Sequence, residues 1–472
     1  MNKNEYEEIF GISEAQMREL IAEGLKGGGN WCDLYFEDTL SSELVLRDGS
    51  VSSGGSHEDY GCGIRVLAGE KTGYAYAEST SMSELLRAAR AASAIASKGG
   101  GTPFNTTSLH PLKPDFYPQR ENWRLADTAR FVPFLQKLDG AVRAKDESVS
   151  KVIALLSFQE SDIMMYNSLG ELVCDSRPLA SVAVSVIFSR GGRTEQKSVS
   201  RSFRKGTEMI SGKILEEIAL SAVEGIDARF DARRPKGGEM PVVMAAGASG
   251  ILLHEAMGHA FEADFNRKGQ SVFAGKIGAR VAKEGINIID DGTISGNRGA
   301  LNFDDEGVPG QKTYMVRDGI LQTYLHDRIS ANFYSLSPTG NGRRESFRYN
   351  PIPRMRCTYM ESGSDGSLED LIGSVKKGIF VDQFSNGEVK IGEGDFTFYV
   401  KSGYTIENGR LAMPVKDINI IGNGPAALAD IVAAAGDLKI DDSAWTCGKE
   451  QSVPVSCGIP SVLIKKLTVG GI

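Results

Sequence analysis

The stretch PVVMAAGASGILLHEAMGHAF, residues 241–261, marks the point where the character of the chain changes. Its first four residues are typical of a buried strand, and residues 248–261 have the apolar composition and the length of a helix. Before this stretch, segments with helical and strand patterns alternate. After it, short strand-like segments are separated by turn pairs such as Asp318-Gly319, Asn386-Gly387 and Asn408-Gly409. The pattern predicts an α+β protein, with N-terminal α/β mixed-sheet domains followed by a β-rich, largely antiparallel domain.

Two Gly- and Pro-containing segments divide the chain into three predicted domains. Residues 98–103 read KGGGTP and residues 233–238 read RRPKGG, compositions that interrupt regular structure. A chain of 472 residues also exceeds the usual size of one hydrophobic core. We expect an N-terminal α+β domain at 1–103, a middle α+β domain at 104–235 and a C-terminal β-rich domain at 236–472.

Local signals place the elements of the first two domains. Ser13 followed by Gln16 is typical of a capping box, and Met17, Leu20 and Ile21 give the helix that follows an apolar face. Further helices are expected at 83–97, at 127–143 with a late start at Pro133, and at 213–225, and strands at 43–47, 63–67, 73–77, 152–158, 163–166 and 182–188.

Composition narrows the class of protein. The chain has 53 basic and 61 acidic residues, a net charge of −8 and a pI near 5.4, which disfavours a nucleic-acid partner. The first residues, MNKNEYEEIFGIS, lack the pattern of a signal peptide, and no apolar run is long enough to span a bilayer. Six scattered cysteines are typical of a reducing compartment. We therefore expect a cytoplasmic protein without a membrane partner.

The motif His254-Glu255-Ala256-Met257-Gly258-His259 is the strongest indication of chemistry. Neutral imidazoles bind a metal ion, and an adjacent carboxylate accepts a proton from a metal-activated water. The histidines are five residues apart, whereas the familiar motif has a spacing of four. A regular helix would separate them by roughly 140°. A metal site here therefore requires a π-type turn, which Gly258 would accommodate.

Such a site needs a third protein ligand, and the spacing leaves several open. Glu262 and Asp264 are near in sequence, and Cys447 lies in a glycine-containing turn late in the same domain. The remaining candidates are Cys457, His326 and His57. The alternative is that the histidines are ordinary buried residues, although apolar neighbours would leave their polar atoms in need of partners.

Other motifs invite a functional interpretation that we consider weaker. Residues 422–427 read GNGPAA after a strand, but a short helix and the lack of a second βαβ unit disfavour a dinucleotide site. A glycine-rich turn that approaches the metal or a substrate is the simpler role. The acidic run 304–306 is expected to be a solvated turn, and Arg343-Arg344 to bind a carboxylate such as a peptide C-terminus. His57 is expected at the surface, and Cys62 and Cys457 in the core.

The run LHEAMGHAFEADFNRKG, residues 253–269, resembles the metal-binding helix of the TldD/PmbA family of metallopeptidases. The resemblance extends through most of the chain, and further matching segments are 61–77, 304–307, 338–344, 394–396, 421–424 and 447–449. The family has a TldD type, which keeps HExxxH, and a PmbA (TldE) type, which has lost it. This chain keeps the motif and so resembles the catalytic type.

The resemblance implies a set of roles. It implies that His254, His259 and Cys447 bind Zn²⁺ in the C-terminal β-rich catalytic domain, with Glu255 as the general base. It also implies a PmbA/TldE-type partner subunit, with a homodimer as the alternative, and the cleavage of short or unstructured peptides in an enclosed chamber.

Two other functions stay open at the level of sequence. One is a regulatory or binding protein, such as a gyrase or toxin–antitoxin modulator, with a structural metal. A fourth protein ligand would favour it over catalysis. The other is a non-haem iron enzyme that uses the two histidines and an acid such as Glu262.

Overall fold

The computed structural model describes residues 3–96, 108–109 and 115–471. The linker predicted at residues 98–103 lies outside this part of the chain. Within the described residues, no helix is long and apolar enough to cross a membrane.

A single seven-stranded sheet organises the N-terminal half. Its order is β3-β2-β1-β5-β6-β4, with β7 paired to β6. The elements are α1 (Lys3–Phe10), α2 (Glu14–Leu25), β1 (Trp31–Arg47), β2 (Ser50–Ala68), β3 (Lys71–Ala77), α3 (Met82–Ile95), β4 (Ser108–Leu109), α4 (Val132–Lys145), β5 (Val149–Asn167), β6 (Glu171–Arg190), β7 (Arg193–Phe203), α5 (Gly212–Val223) and α6 (Ile226–Asp231), with 3₁₀ turns at Trp123–Leu125, Thr128–Phe131 and Thr207–Met209.

The predicted elements of this half are present, and several are longer than expected. Ser13 caps α2 with Gln16 in a capping box, and Pro133 lies in the first turn of α4, which begins late as expected. The strand expected at 43–47 is the end of the 17-residue β1. Strand β1 pairs antiparallel with both β2 and β5, so its backbone stays hydrogen-bonded through polar residues that give no strand signal.

The pairing of β1 with β5 joins the first two predicted domains. Residues 33–47 lie opposite residues 153–167, so one sheet crosses the boundary expected at residue 103. The domain boundaries themselves stay a prediction.

The two faces of this sheet differ. Leu156 and Val182 pack with residues of α4 and α5 in an apolar cluster. Because side chains alternate along a strand, Ser157 and Ser181 project from the opposite face. Around these two serines the second face is polar.

The C-terminal half is rich in strands, as predicted. Its elements are β8 (Gly238–Met244), α7 (Ile251–Leu253), α8 (Ala263–Arg267), β9 (Ile288–Asp291), β10 (Lys312–Arg317), β11 (Ile320–Leu321), α9 (Arg328–Tyr334), β12 (Gly342–Arg343), β13 (Ile352–Pro353), β14 (Cys357–Met360), α10 (Leu368–Gly373), β15 (Lys377–Lys390), β16 (Asp395–Glu407), β17 (Arg410–Val415), β18 (Ile418–Asn423), α11 (Gly424–Ala429), β19 (Ile431–Ala434), β20 (Lys439–Asp441), β21 (Thr446–Lys449), β22 (Gln451–Pro454), β23 (Ser456–Ile459) and β24 (Val462–Gly471).

Two sheets enclose the largest apolar core. One has the order β11-β10-β9-β14-β23-β20. In the other, β15, β8, β24, β18 and β16 pair in a closed ring, with β17 on β16 and β19 on β24. Only β14–β23 and β15–β8 are parallel among the pairs described in this half. The core between these sheets contains Leu252, Leu253 and Met257 of the helix that carries the histidine motif.

Two of the three expected glycine turns are present, and one is wrong. Asp318-Gly319 and Asn408-Gly409 both have positive φ and connect hairpins. The pair at 386–387 instead lies inside β15, where the register with β16 shifts. Asn-Gly sequences occur both in turns and in bulges of long strands, so the sequence alone does not distinguish a turn from a bulge. Here the pairing with β16 shows a bulge.

The GNGPAA segment does not form a dinucleotide-binding unit. Strand β18 is antiparallel to both of its neighbours, and α11 has six residues. Gly424 instead approaches the histidine helix, because a Cβ there would lie 2.1 Å from the carbonyl oxygen of Ala256. The glycine turn therefore lets two backbones approach closely, and its expected approach to the metal or a substrate stays a prediction.

Candidate metal centre

The histidine motif forms the π-type turn that its spacing requires. The chain passes from a 3₁₀ turn at Ala248–Gly250 through α7 into a π-helix at His254–Gly258. The N–H of His259 donates to the carbonyl oxygen of His254, which is an i→i+5 hydrogen bond. The two imidazole rings therefore lie on one side of the helix, with centroids 5.2 Å apart.

Gly258 is required for space rather than for an unusual backbone conformation. Its φ is −58° and its ψ is −49°, ordinary helical values. A Cβ at this position would lie 2.0 Å from the Sδ atom of Met355. The glycine lets the π-helix pack directly against the core.

Cys447 completes the group from a distant part of the chain. It lies on β21, which pairs with β22 in a hairpin. Its Sγ atom is 3.2 Å from Nε2 of His259. One ligand atom from each of His254, His259 and Cys447 lies within 4.8 Å of the others, and all three residues are buried. Within the described residues this is the one such group of three.

The electrostatics favour the ligand form of the cysteine. Burial opposes ionisation of the Cys447 thiol, but the two neighbouring imidazoles lower its pKa to about 4. Burial likewise opposes a charge on His259, whereas Glu262 and Cys447 raise its pKa to about 10. The thiolate is the form of cysteine that binds a metal ion.

His254 provides the test of whether these residues fit a metal ion. Its side chain is 1% exposed, and neither ring nitrogen has a hydrogen-bond partner among the described residues. Buried polar atoms without partners are costly. A cation held between these nitrogens and Cys447 would satisfy His254, and a thiolate with two imidazoles is a donor set that suits zinc.

Glu262 supports His259 from behind. Its Oε2 atom is 2.9 Å from Nδ1 of His259 and accepts a hydrogen bond from Nζ of Lys449 at 3.0 Å. Burial alone would raise the pKa of Glu262, but Lys449 and His259 hold it at about 2. A carboxylate on the far nitrogen fixes the tautomer and orientation of a metal-binding histidine. Glu262 thus orients His259 and does not point at the ligand atoms.

Glu255 lies on the open side of the group. Its side chain is 22% exposed, and its Oε2 atom is 3.8 Å from Nε2 of His259, the nitrogen that faces Cys447. Among the motif side chains it is therefore the one that reaches both the ligand atoms and solvent.

The other ligand candidates lie elsewhere. Asp264 accepts a hydrogen bond from Lys449 at 2.9 Å, and Cys457 is buried in β23 as expected. His326 is buried beside Thr323, and burial lowers its pKa to about 4. His57 is exposed, as predicted.

Two sequence-based expectations are wrong. The acidic run Asp304-Asp305-Glu306 is buried rather than solvated. Arg343 and Arg344 are also buried and are occupied by the protein itself. Arg343 donates to the carbonyl oxygens of Met355 and Pro454, and Arg344 donates to Asp305. In both cases tertiary contacts supply partners that neighbouring residues do not reveal.

Three arginines hold the Cys447 hairpin, a role that the sequence does not indicate for any of them. Arg354 donates to the carbonyl oxygens of Cys447 and Gln451, each at 2.7 Å. Arg343 donates to Pro454 at 2.8 Å, and Arg298 to the carbonyl oxygen of Trp445 at 2.7 Å. No local pattern marks these residues, because their acceptors are backbone atoms about 100 to 150 positions away.

Comparison with known proteins agrees with this geometry. Sequence profiles of PmbA/TldA metallopeptidases match the chain in three parts, domain 1 at residues 32–96, the central domain at 121–228 and the C-terminal domain at 237–471. The "Metalloprotease TldD homolog" of Haemophilus influenzae is 39% identical over 94% of this chain and 93% of that protein. The chain belongs to the TldD/PmbA family.

Within the TldD/PmbA family the chain is a metallopeptidase of the TldD type. The "Zinc metalloprotease TldD homolog" of Saccharolobus solfataricus is 32% identical over 64% of this chain and 67% of that protein. TldE from Thermococcus kodakarensis has the same fold, with a TM-score of 0.76 at 20% identity over 97% of this chain and all of that chain. A Thermotoga maritima protein described as a candidate modulator of a DNA gyrase has a TM-score of 0.79 at 22% identity, over 97% of this chain and all of that chain.

Proposed function

We propose that this metallopeptidase is a zinc enzyme that hydrolyses extended, unstructured peptides, with His254, His259 and Cys447 as ligands and Glu255 as the general base. The observation that supports it most directly is the buried group of three ligand atoms in which His254 lacks any other partner. Zinc bound there would supply a Lewis acid and lower the pKa of an attacking water.

The residues of the chain supply the rest of the chemistry. Glu255 accepts a proton from the attacking water and transfers it to the leaving amine, because its carboxylate is next to the ligand atoms and still exposed. Glu262 keeps Nδ1 of His259 occupied, so that Nε2 is the nitrogen presented to the metal.

The number of ligands favours catalysis over a structural metal. A structural zinc site is closed by four protein ligands, whereas a catalytic site keeps one position for water or substrate. Only three ligand side chains come together in the described residues. The thiolate of Cys447 also favours zinc over a non-haem iron centre, which uses a carboxylate.

The ligand assignment is tested by comparing two cysteines. We expect Cys447→Ser to lose most of its zinc, because a hydroxyl is a much poorer zinc ligand than a thiolate. Cys457→Ser is the matched control and is expected to keep its zinc, since Cys457 is buried in β23. Zinc content would be measured by elemental analysis of the purified, folded proteins. Equal zinc content in the two variants would disprove the assignment.

The substrate class is tested by comparing folded and unfolded substrates. An extended peptide is expected to bind by adding a strand to an exposed sheet edge, which gives sequence-tolerant main-chain hydrogen bonds. Cleavage of a compact domain as fast as its denatured form would contradict this substrate class.

We further propose a TldE-type partner subunit, since the fold is shared with TldE. We place the protein in the cytoplasm, since all six cysteines are free. The oligomeric state of the chain mixed with a TldE-type protein tests the partner. A dimer that contains only this chain in that mixture would favour the homodimer instead.

A further inference from the structure

A cavity of about 550 Å³ lies on the polar face of the N-terminal sheet. Ser41, Ser157 and Ser181 line it from three neighbouring strands, and Arg298 of the C-terminal half also lines it. The cavity is therefore built by both halves of the molecule.

Arg298 is a buried guanidinium without an acidic partner. Its side chain donates to the carbonyl oxygen of Trp445 at 2.7 Å and to the hydroxyl oxygens of Ser202 at 2.7 Å, Thr446 at 3.2 Å and Ser181 at 3.4 Å, all neutral acceptors. The residue is 7% exposed, and in the described part of the chain no carboxylate forms an ion pair with it. Burial and the nearby charge of Arg204 lower the pKa of Arg298 to about 10.

A buried charge of this kind is stabilised by an anion. Elsewhere in the protein, the buried Arg65 has carboxylates on both sides, Asp33 and Glu306, each at 2.6 Å. Arg298 has neutral oxygens instead, and its cavity carries the hydroxyls of Ser41 and Ser157, a group type that can donate to an anion. Glu43 lines the exposed rim and makes no ion pair with Arg298. The chemistry of the cavity fits an incoming carboxylate, for which arginine is the preferred partner.

Arg298 also contacts the hairpin that carries Cys447. Thr446, which accepts a hydrogen bond from Arg298, directly precedes Cys447 on β21. Alternate residues of a strand face opposite sides, so Thr446 faces Arg298 while Cys447 faces His259. Arg298 and the ligand atoms therefore approach the same strand from opposite faces, and an extended peptide running beside that strand would turn alternate side chains toward each.

We propose that this cavity binds a carboxylate of the peptide substrate, with Arg298 as its charged partner. The proposal rests on the peptidase function proposed above and names a feature of its substrates. The carboxylate is either the C-terminus of the peptide or an Asp or Glu side chain of the same peptide.

Binding to the zinc-loaded Glu255→Gln variant tests the proposal without turnover. The probes are one unstructured, N-terminally labelled peptide without acidic residues, as a free acid and as a C-terminal amide, and an amide with one Asp added. Fluorescence anisotropy is expected to show that the free acid, the Asp-containing amide or both bind about tenfold or more tightly than the plain amide. Tighter binding of the free acid identifies the C-terminus as the source of the carboxylate, and tighter binding of the Asp-containing amide identifies a side chain.

Variants separate this role from the support of the hairpin. Adding Arg298→Gln is expected to remove the preference, and Arg298→Lys to keep part of it. Thr446→Val is the matched control, because it removes a hydrogen-bond acceptor of Arg298 and leaves the guanidinium in place, so the preference should persist.

Several results would overturn the proposal. Equal affinity for all three peptides, or no binding of either the free acid or the Asp-containing amide at millimolar concentration, would do so even if Arg298→Gln failed to fold. A preference that survives in a folded Arg298→Gln protein would place the carboxylate elsewhere, for instance on the zinc. Wild-type hydrolysis of the free acid, the plain amide and the Asp-containing amide at equal kcat/KM would exclude the carboxylate site and leave the peptidase function intact. Hydrolysis of none of the three peptides would count against the peptidase function instead.

Discussion

The molecule contains two buried polar clusters that differ in how their charges are satisfied. Around the acidic run 304–306, Arg65 pairs with Glu306 at 2.6 Å and Arg177 pairs with Asp305 at 2.5 Å. In the metal centre, by contrast, His254 has two ring nitrogens without partners.

This difference separates a structural cluster from a binding site. Burial opposes ionisation of Asp305, but the charges of Arg177 and Arg344 still lower its pKa. A cluster with such internal compensation leaves no role for a cation. A group of ligand atoms in which one buried ring makes no hydrogen bond is instead suited to a cation that the chain itself does not supply. A single unpaired nitrogen is not sufficient, since Nδ1 of His326 is also unpaired but no other ligand side chain joins it.

The largest expected effect tests the chemistry of the metal centre. Glu255→Gln should lower kcat for peptide hydrolysis by about 10²- to 10⁴-fold, because it removes the general base. Zinc content should stay near that of the wild type, because no ligand is lost. Steady-state kinetics with elemental analysis of the same sample checks both. Wild-type activity would refute the general-base role, and loss of zinc would indicate that Glu255 is a ligand.

The paired cluster should respond in the opposite way. Arg65→Met leaves Asp33 and Glu306 buried without their cation, so the free energy of unfolding should fall by about 3–5 kcal/mol. Denaturant unfolding measures this loss. Zinc per folded chain should remain unchanged, because Arg65 is not among the ligands or their supports. A variant with wild-type stability would show that the cluster is not compensated in the way described.

A smaller effect is expected at Glu262, which forms an ion pair with Lys449 and also supports a metal ligand, His259. Glu262→Gln should weaken zinc binding by about 10- to 100-fold, because His259 loses the carboxylate that orients it. Asp264→Asn is the matched control, since Asp264 also pairs with Lys449 but does not contact His259. Competition with a chelator gives both affinities. An equal loss in the two variants would assign the effect to Lys449 and not to the orientation of His259.

The smallest effect concerns His326, a buried histidine outside any ligand group. Its folded-state pKa of about 4 lies below the ordinary value of 6.5, so the unfolded chain binds a proton more readily. Its contribution to stability is therefore fully present above pH 6.5 and is lost as the pH falls toward 4. Between pH 7 and pH 5 this loss is about 2 kcal/mol. Denaturant unfolding at both pH values gives the free energy of unfolding of the wild type and of His326→Gln. Between pH 7 and pH 5 this free energy should fall by about 2 kcal/mol more in the wild type than in the variant. An equal fall in the two proteins would contradict the shifted pKa of His326.

Local signals were reliable where the physics is local. The capping box of Ser13 and Gln16, the delayed start of α4 at Pro133 and the π-turn of the histidine motif all depend on residues within one or two turns. The same signals failed for long-range pairing. They gave β1 less than half of its length and placed a turn inside β15, because the partner strands that extend or bulge a strand are distant in sequence.

The sequence by itself determined the spacing of His254 and His259, and with it the π-type turn that a shared metal ion would require and the identity of Glu255 as the adjacent acid. It also determined the resemblance that selected Cys447 from several possible ligands. Only the tertiary structure decided that Cys447 approaches His259, that Glu262 supports His259, and that Arg298 is buried without an acidic partner beside a cavity. The physical reason is that a helix fixes the relation of its own side chains. By contrast, the distance between two elements and the compensation of a buried charge depend on which distant residues fold against them.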